Sequence, residues 1–238
     1  MKQYRILLLT SDLYIRCVIP YAWLLKKYWP NHPQVVVGGF TPPDFEMPDG
    51  FVFHSIGKFS DYPIERWSDA FISFIKNLPD EVFVFMLEDM WIVRHVPDKI
   101  VQMCYDYMIQ FEYVARLDLT GDRLNAGDAT FYGKLGDISL VFSNPRGQYH
   151  LSTMPAFWRK SHLLRALIPG ESPWQVELSG TPRLGALSNE VIVLGTNAWP
   201  IKNTLAFRGG STGKLLLDEV DSKDVEEMKG LGLLKGFE

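Results

Sequence analysis

Across the first half of the chain, short and almost wholly apolar runs alternate with segments of helical periodicity, and this alternation limits the fold more than any other feature. The runs are RILLLTSD (5–12), QVVVGG (34–39), FVFHSIG (51–57), EVFVFMLED (81–89) and YVARLDLT (113–120). Runs of this length without polar alternation read as strands buried on both faces. Between them, Ala22, Leu24, Leu25, Tyr28 and Trp29 recur at helical spacing within 14–30, with Pro20 expected to start or kink that helix. A proline-led amphipathic segment, 63–78, places Ile64, Trp67, Phe71, Phe74 and Ile75 on one face. A third helix is expected from Pro97-Asp98 to about Phe111. Strands separated by helices imply an α/β protein with a mostly parallel sheet flanked by helices.

The second half reads differently. GDRLNAGDATFYGKLGDISLVFSN (121–144) is rich in turn formers and is expected to be a loop or a small hairpin insertion. YHLSTMPAFWRK (149–160) reads as a strand entering the helix KSHLLRALI (160–168), PGESPWQVELSG (169–180) as a turn-rich segment, and VIVLG (191–195) as a late strand. The tail from 214 reads as a short helix with a frayed end. No repeat or flexible linker interrupts the 238 residues, so a single domain is expected.

Several function classes lose ground on composition. No apolar run reaches the roughly 18 residues of a membrane span, and the N-terminal run is too short for a signal peptide, so a cytoplasmic protein is expected. Two cysteines, Cys17 and Cys104, do not make a disulfide scaffold or a thiolate metal site. A net charge of -4 argues against a broad basic surface while leaving a local basic cleft open. There is no GxGxxG after the first run and no GxxxxGK[ST], which argues against a dinucleotide-binding dehydrogenase or a P-loop enzyme.

What remains is a set of polar residues at strand ends, where open α/β sheets bind ligands. Thr10, Ser11 and Asp12 follow the first strand, Glu88 and Asp89 the fourth, and Asp118 the fifth. The adjacent carboxylates in VFVFMLEDMW (82–91) demand explanation, because like charges among apolar residues are costly without a cation or donors. A hard divalent ion, Mg²⁺ or Mn²⁺, bridging them to phosphate oxygens would supply one.

This order of elements, with an apolar strand ending in LEDM (87–90), resembles glycosyltransferases of the GT-A fold. There, a short acidic motif ending a central strand holds a divalent metal against the diphosphate of a nucleotide sugar. AFWRKSHLLRALIPGESPWQVE (156–177) is similar to the acceptor side of that family. The resemblance spans about residues 5–208. It implies a donor half over about 1–120, an acceptor half over about 121–213 and a tail over 214–238. It further implies that Glu88 and Asp89 hold the metal and that Thr10, Ser11 and Asp12 meet the base or ribose. Arg66, Asp69 and Asp118 would contact the nucleotide sugar, and Arg208 would pair with the diphosphate in place of a late histidine. Asp122, Arg123 and Trp174 would meet the acceptor, and Glu177 would be the catalytic base of an inverting transfer.

The chain also resembles small stand-alone GT-A-like proteins of bacteriophages, some of which decorate modified DNA bases. The expected donor is a nucleoside diphosphate sugar, such as a UDP-sugar. The acceptor is either a hydroxymethylated pyrimidine in DNA or a saccharide or lipid-linked glycan. A nucleotidyltransferase and a non-catalytic nucleotide-binding protein are the rival readings. Asp118, Asp122 and Arg123 could equally form a structural ion-pair cluster, Asp12 could cap a helix, and Trp91, Trp174 and Trp199 are candidates for stacking on sugar or base.

Overall fold

The computed structural model describes residues 3–207 and 215–237. Arg208, expected to meet the diphosphate, lies outside them. The central sheet has nine strands in the order β3-β2-β1-β4-β9-β6-β10-β8-β7. Their ranges are β1 Ile6–Leu9, β2 Val35–Gly39, β3 Phe51–Ser55, β4 Val82–Leu87, β6 Val114–Asp118, β7 Thr130–Leu135, β8 Ile138–Phe142, β9 Ala156–Arg159 and β10 Ile192–Thr196. From the pairings, only β8 and β9 run against the direction of the rest, so the sheet is mixed and mostly parallel.

Helices cover both faces of the sheet, which is why the strand sequences do not alternate with polar residues. Successive side chains still point to opposite sides. Ile6, Leu8, Val84 and Met86 pack on the side of α1 (Val18–Tyr28) and α3 (Asp98–Gln110). Leu7, Leu9, Phe83 and Phe85 pack with α2 (Trp67–Lys76), α5 (Lys160–Ala166) and α6 (Pro173–Gly185). Each fully buried Leu, Ile or Phe contributes about 1.5–3 kcal/mol over leaving it in water. β2 ends in glycine for a packing reason: a Cβ on Gly38 would lie 2.7 Å from the Phe74 ring of α2.

The structure corrects several local expectations. Of the two roles open to Pro20, starting or kinking the first helix, the structure shows the start: the helix begins at Val18 and Pro20 sits in its first turn, where no amide donor is needed. Ile64 belongs to a separate 3₁₀ turn and is 52% exposed, leaving the buried stripe of α2 to start at Trp67. The segment 169–180 is not a turn throughout: Ser172 caps α6 with a complete capping box to Gln175, and Pro173 occupies the first position. Met90–Ile92 forms an extra strand, β5, paired with β11 (Asn203–Leu205) outside the main sheet. The expected hairpin of 121–144 exists as β7–β8, preceded by the one-turn helix α4 (Asp122–Asn125), but β8 pairs with β10 and so extends the central sheet. The late segment carries α7 (Ser222–Gly230), whose Met228 joins the core and whose buried Asp224 accepts from Lys27 and Tyr28 of α1.

Candidate active site

A cleft of ≈ 780 Å³ lies at the C-terminal ends of β1 and β4. Its floor is Leu9, Thr10 and Ser11 from one strand and Leu87 to Met90 from the other. One wall is aromatic, with Phe40 against Phe59 and Tyr62 at centroid distances of 5.3 and 5.6 Å. The opposite wall comes from Ser152, Thr153 and the first turns of α6, with Trp174 and Glu177.

Glu88 and Asp89 are carried by the tight link between β4 and β5. Trp91 is fully buried and donates its indole N–H to the Glu88 carbonyl at 3.1 Å, and the Asp89 carbonyl accepts from Ala206 at 2.7 Å. Trp91 is therefore a brace for the acidic turn and is not available to stack on a ligand. Burial, reinforced by the charge of Asp89 beside it, holds the Glu88 carboxyl well above the usual range. Burial pushes Asp89 up to about 6. Oδ1 of Asp89 is buried without a hydrogen-bond partner. An orphaned anionic oxygen is expensive unless a ligand meets it. The two carboxylates fit a hard divalent cation, though among the described residues no group of three or more His, Cys, Asp and Glu could hold one. Further donors would be phosphate oxygens or water.

Glu177 is fixed from one side. Its Oε1 accepts from the Thr153 amide at 2.6 Å and the Thr153 hydroxyl at 2.8 Å, while Oε2 has no partner among the described residues. Trp174, one turn earlier on α6, is 54% exposed at the cleft lip. The expected base and its neighbouring tryptophan thus reach the same cleft as the acidic pair, together with Thr10, Ser11 and Asp122.

Other expected site residues do not line this cleft. Asp12 accepts from the amide and hydroxyl of Thr41 at 2.9 and 2.7 Å, tying the loop after β1 to the loop after β2; it caps no helix. Arg66 pairs with Asp69 at 2.7 Å, and Asp69 also accepts from the Gly170 amide at 2.7 Å. These two therefore set where the chain enters α6. Asp118 is completely buried: Arg116 Nη2 stands 2.5 Å from its Oδ1, and Arg123 donates to Oδ2 at 3.2 Å. Of the two readings open for this group, Asp118 and Arg123 have the geometry of a structural ion-pair cluster, and Arg123, 1% exposed, cannot meet an acceptor, whereas Asp122 lines the cleft. Trp199 lies over Gly121, 41% exposed.

Sequence reasoning missed Tyr14, Phe40, Phe59 and Tyr62, Ser152 and Thr153, and Tyr149. No periodic signal marks them, since they converge from separate loops. Among the described residues, the lining holds four carboxylates (Glu88, Asp89, Asp122 and Glu177) and no Lys or Arg.

Comparison of the sequence with protein-family profiles and with curated proteins finds no match. Solved structures do match the fold. Two structures of S. aureus TarS superimpose with TM-scores of 0.50 (residues 1–349) and 0.51, at 13% and 14% identity, covering 81% and 82% of this chain. The fold is GT-A-like. The chain spans 58% and 35% of those two TarS structures. A UDP-glucose pyrophosphorylase from Acinetobacter baumanii superimposes less well, with TM-score 0.45 and 10% identity over 81% of this chain and 85% of that one. At these identities the likeness concerns the fold. Among the described residues no helix is long and apolar enough to cross a membrane.

Proposed function

We propose that the protein is a glycosyltransferase that moves a sugar from a nucleoside diphosphate sugar to the hydroxyl of a saccharide. The observation that carries this reading is the unpartnered, buried Asp89 oxygen at the end of β4, in a cleft whose described lining contains no cation. A diphosphate cannot enter four carboxylates uncompensated. Glu88 and Asp89 would hold a divalent metal, which when bound supplies charge neutralisation for the departing diphosphate.

The chain's own residues account for the rest. Phe40, Phe59 and Tyr62 offer an apolar wall for the base, with Thr10 and Ser11 as hydrogen-bonding groups at the strand end. Glu177, oriented by Thr153, takes the proton of the acceptor hydroxyl through Oε2. The acceptor oxygen then bonds to the anomeric carbon as the bond to the diphosphate oxygen breaks. The nucleoside diphosphate leaves with that electron pair, and the configuration inverts. A saccharide acceptor is favoured over a base of DNA because the cleft offers no described cation to a phosphate backbone.

A thermal-shift series of nucleoside diphosphates, with and without Mn²⁺, tests the donor side. A metal-dependent shift from one of them, absent in Asp89→Ala, is expected by mass action. No shift from any diphosphate refutes the reading. Product stereochemistry tests the role of Glu177, since retention at the anomeric carbon would remove it as base.

A further inference from the structure

A second cleft, of ≈ 1150 Å³, opens beside the first. Its walls are the turn after β8, residues 144–149, and α6 with the turn that follows, through Thr181, Gly185 and Ser188. Tyr149 and Glu177 are the two residues common to both clefts, so the clefts adjoin there. The turn lies directly on α6 because Gly185 has no side chain: a Cβ there would stand 2.2 Å from the Pro145 carbonyl oxygen.

Tyr149 has φ +51°, in the left-handed region. For a bulky residue that conformation costs on the order of 1–3 kcal/mol and persists only when the surroundings enforce it. Here they do so from beneath. Arg123 donates to the Tyr149 carbonyl at 2.7 Å and to the Gln148 carbonyl at 3.5 Å, and Arg116 donates to the His150 carbonyl at 3.5 Å. The buried ion cluster that takes Asp118 and Arg123 out of ligand contact thus holds an aromatic ring, 45% exposed, at the junction.

The lining narrows the ligand. Asn144, Gln148 and Ser188 contribute amides and a hydroxyl, with Arg146 the one cation and Glu177 the one carboxylate among the described lining residues. A duplex site commonly neutralises about 6–10 phosphates, which this surface cannot do. The space exceeds the roughly 300–1,000 Å³ of pockets for drug-sized ligands, so several rings fit.

We propose that the second cleft seats an extended, uncharged saccharide, with one ring stacked on Tyr149 and the chain end presented to Glu177. This deepens the transferase reading and rests on it for the role of Glu177. The test uses the full chain and linear neutral oligosaccharides of increasing length (β-1,4-glucans, α-1,4-glucans and chitooligosaccharides). Binding is read by saturation-transfer NMR, with nucleoside diphosphate binding measured separately. At least one series is expected to bind more tightly as it lengthens. Tyr149→Gly, which relieves the backbone while removing the ring, should weaken binding about tenfold, the loss of one good stacking contact. The double variant Arg146→Ala/Gln148→Ala should weaken the oligosaccharide while leaving the nucleoside diphosphate shift and the melting temperature at wild-type values.

Absence of binding in every series, affinity independent of length, or binding indifferent to both variants overturns the proposal. So does retention of duplex DNA that is lost in the double variant, which would make the cleft a nucleic-acid site. Length-dependent saccharide binding without any nucleotide shift would sink the transferase reading and leave the saccharide site standing. A nucleotide shift without saccharide binding would do the reverse.

Discussion

Asp89→Asn should make the metal-free protein more stable, and increasingly so as pH rises. Burial lifts the folded Asp89 carboxyl from 3.8 to about 6. Between those values the native state therefore binds more protons than the unfolded chain, and stability falls as pH climbs. At about 1.4 kcal/mol per tenfold change in proton affinity, the ionised side chain costs the fold up to about 3 kcal/mol above pH 6. For a chain of this size, 1 kcal/mol moves the melting temperature by roughly 2–4 °C, so the variant should gain up to about 6–12 °C over wild type at pH 8. Little of that gain should remain near pH 4. The assay is thermal unfolding of both proteins across that range in chelator.

Taking the difference matters, because His150 works in the opposite direction. Buried against Ser143 Oγ at 2.7 Å and close to Arg123 and Arg116, its imidazole is held down to about 3. It therefore contributes stability that is full above 6.5 and is lost as pH falls toward 3, identically in both proteins. A melting-temperature difference that does not change with pH would refute the reasoning and return Asp89 to an ordinary solvated turn. Mn²⁺ at a hundredfold excess over Kd should nearly close the gap, adding about 2.7 kcal/mol to wild type and nothing to the variant.

Glu177→Gln keeps the acceptor that Thr153 bonds but cannot take a proton. Turnover should fall about 10²–10⁴-fold with nucleotide binding unchanged, as read by steady-state kinetics beside thermal shift. Arg123→Met strands Asp118 with one fewer cation and frees the Tyr149 carbonyl. A loss of about 3–5 kcal/mol is expected in denaturant unfolding, and a loss below 1 kcal/mol would remove the cluster from the account of that loop. Gly185→Ala drives a methyl to 2.2 Å from the Pro145 carbonyl, so a loss of about 1–3 kcal/mol is expected, with faster amide exchange in residues 144–149.

The sheet was legible because its strands are buried on both faces: a run such as Val82–Leu87 has no other economical explanation in a chain with helical segments between the runs. The acidic turn was legible for the same reason, since carboxylates beside such a run need a partner. α6 could have been read as well, because Ser172, Pro173 and Gln175 spell a capping box with proline at its first position. Asp118 shows where the strand-end rule fails. It ends a strand just as Glu88 follows one, yet Arg116, two residues earlier, lies on the same strand face and claims it. That spacing was visible in the sequence; the second arginine, Arg123, arrives only through the fold.

The remainder belongs to tertiary structure alone. Which aromatic residues wall the cleft depends on loops from β2, β3 and α2 converging at one sheet edge. The left-handed Tyr149 depends on two arginines reaching its neighbourhood from beneath, and the second cleft depends on a glycine contact across forty residues of chain. Local sequence determined the elements and the ends at which they carry charge, because burial and periodicity act on neighbouring residues. Only packing decided which of those charges meet one another and which are left facing a ligand, because that choice is made by groups distant in the chain.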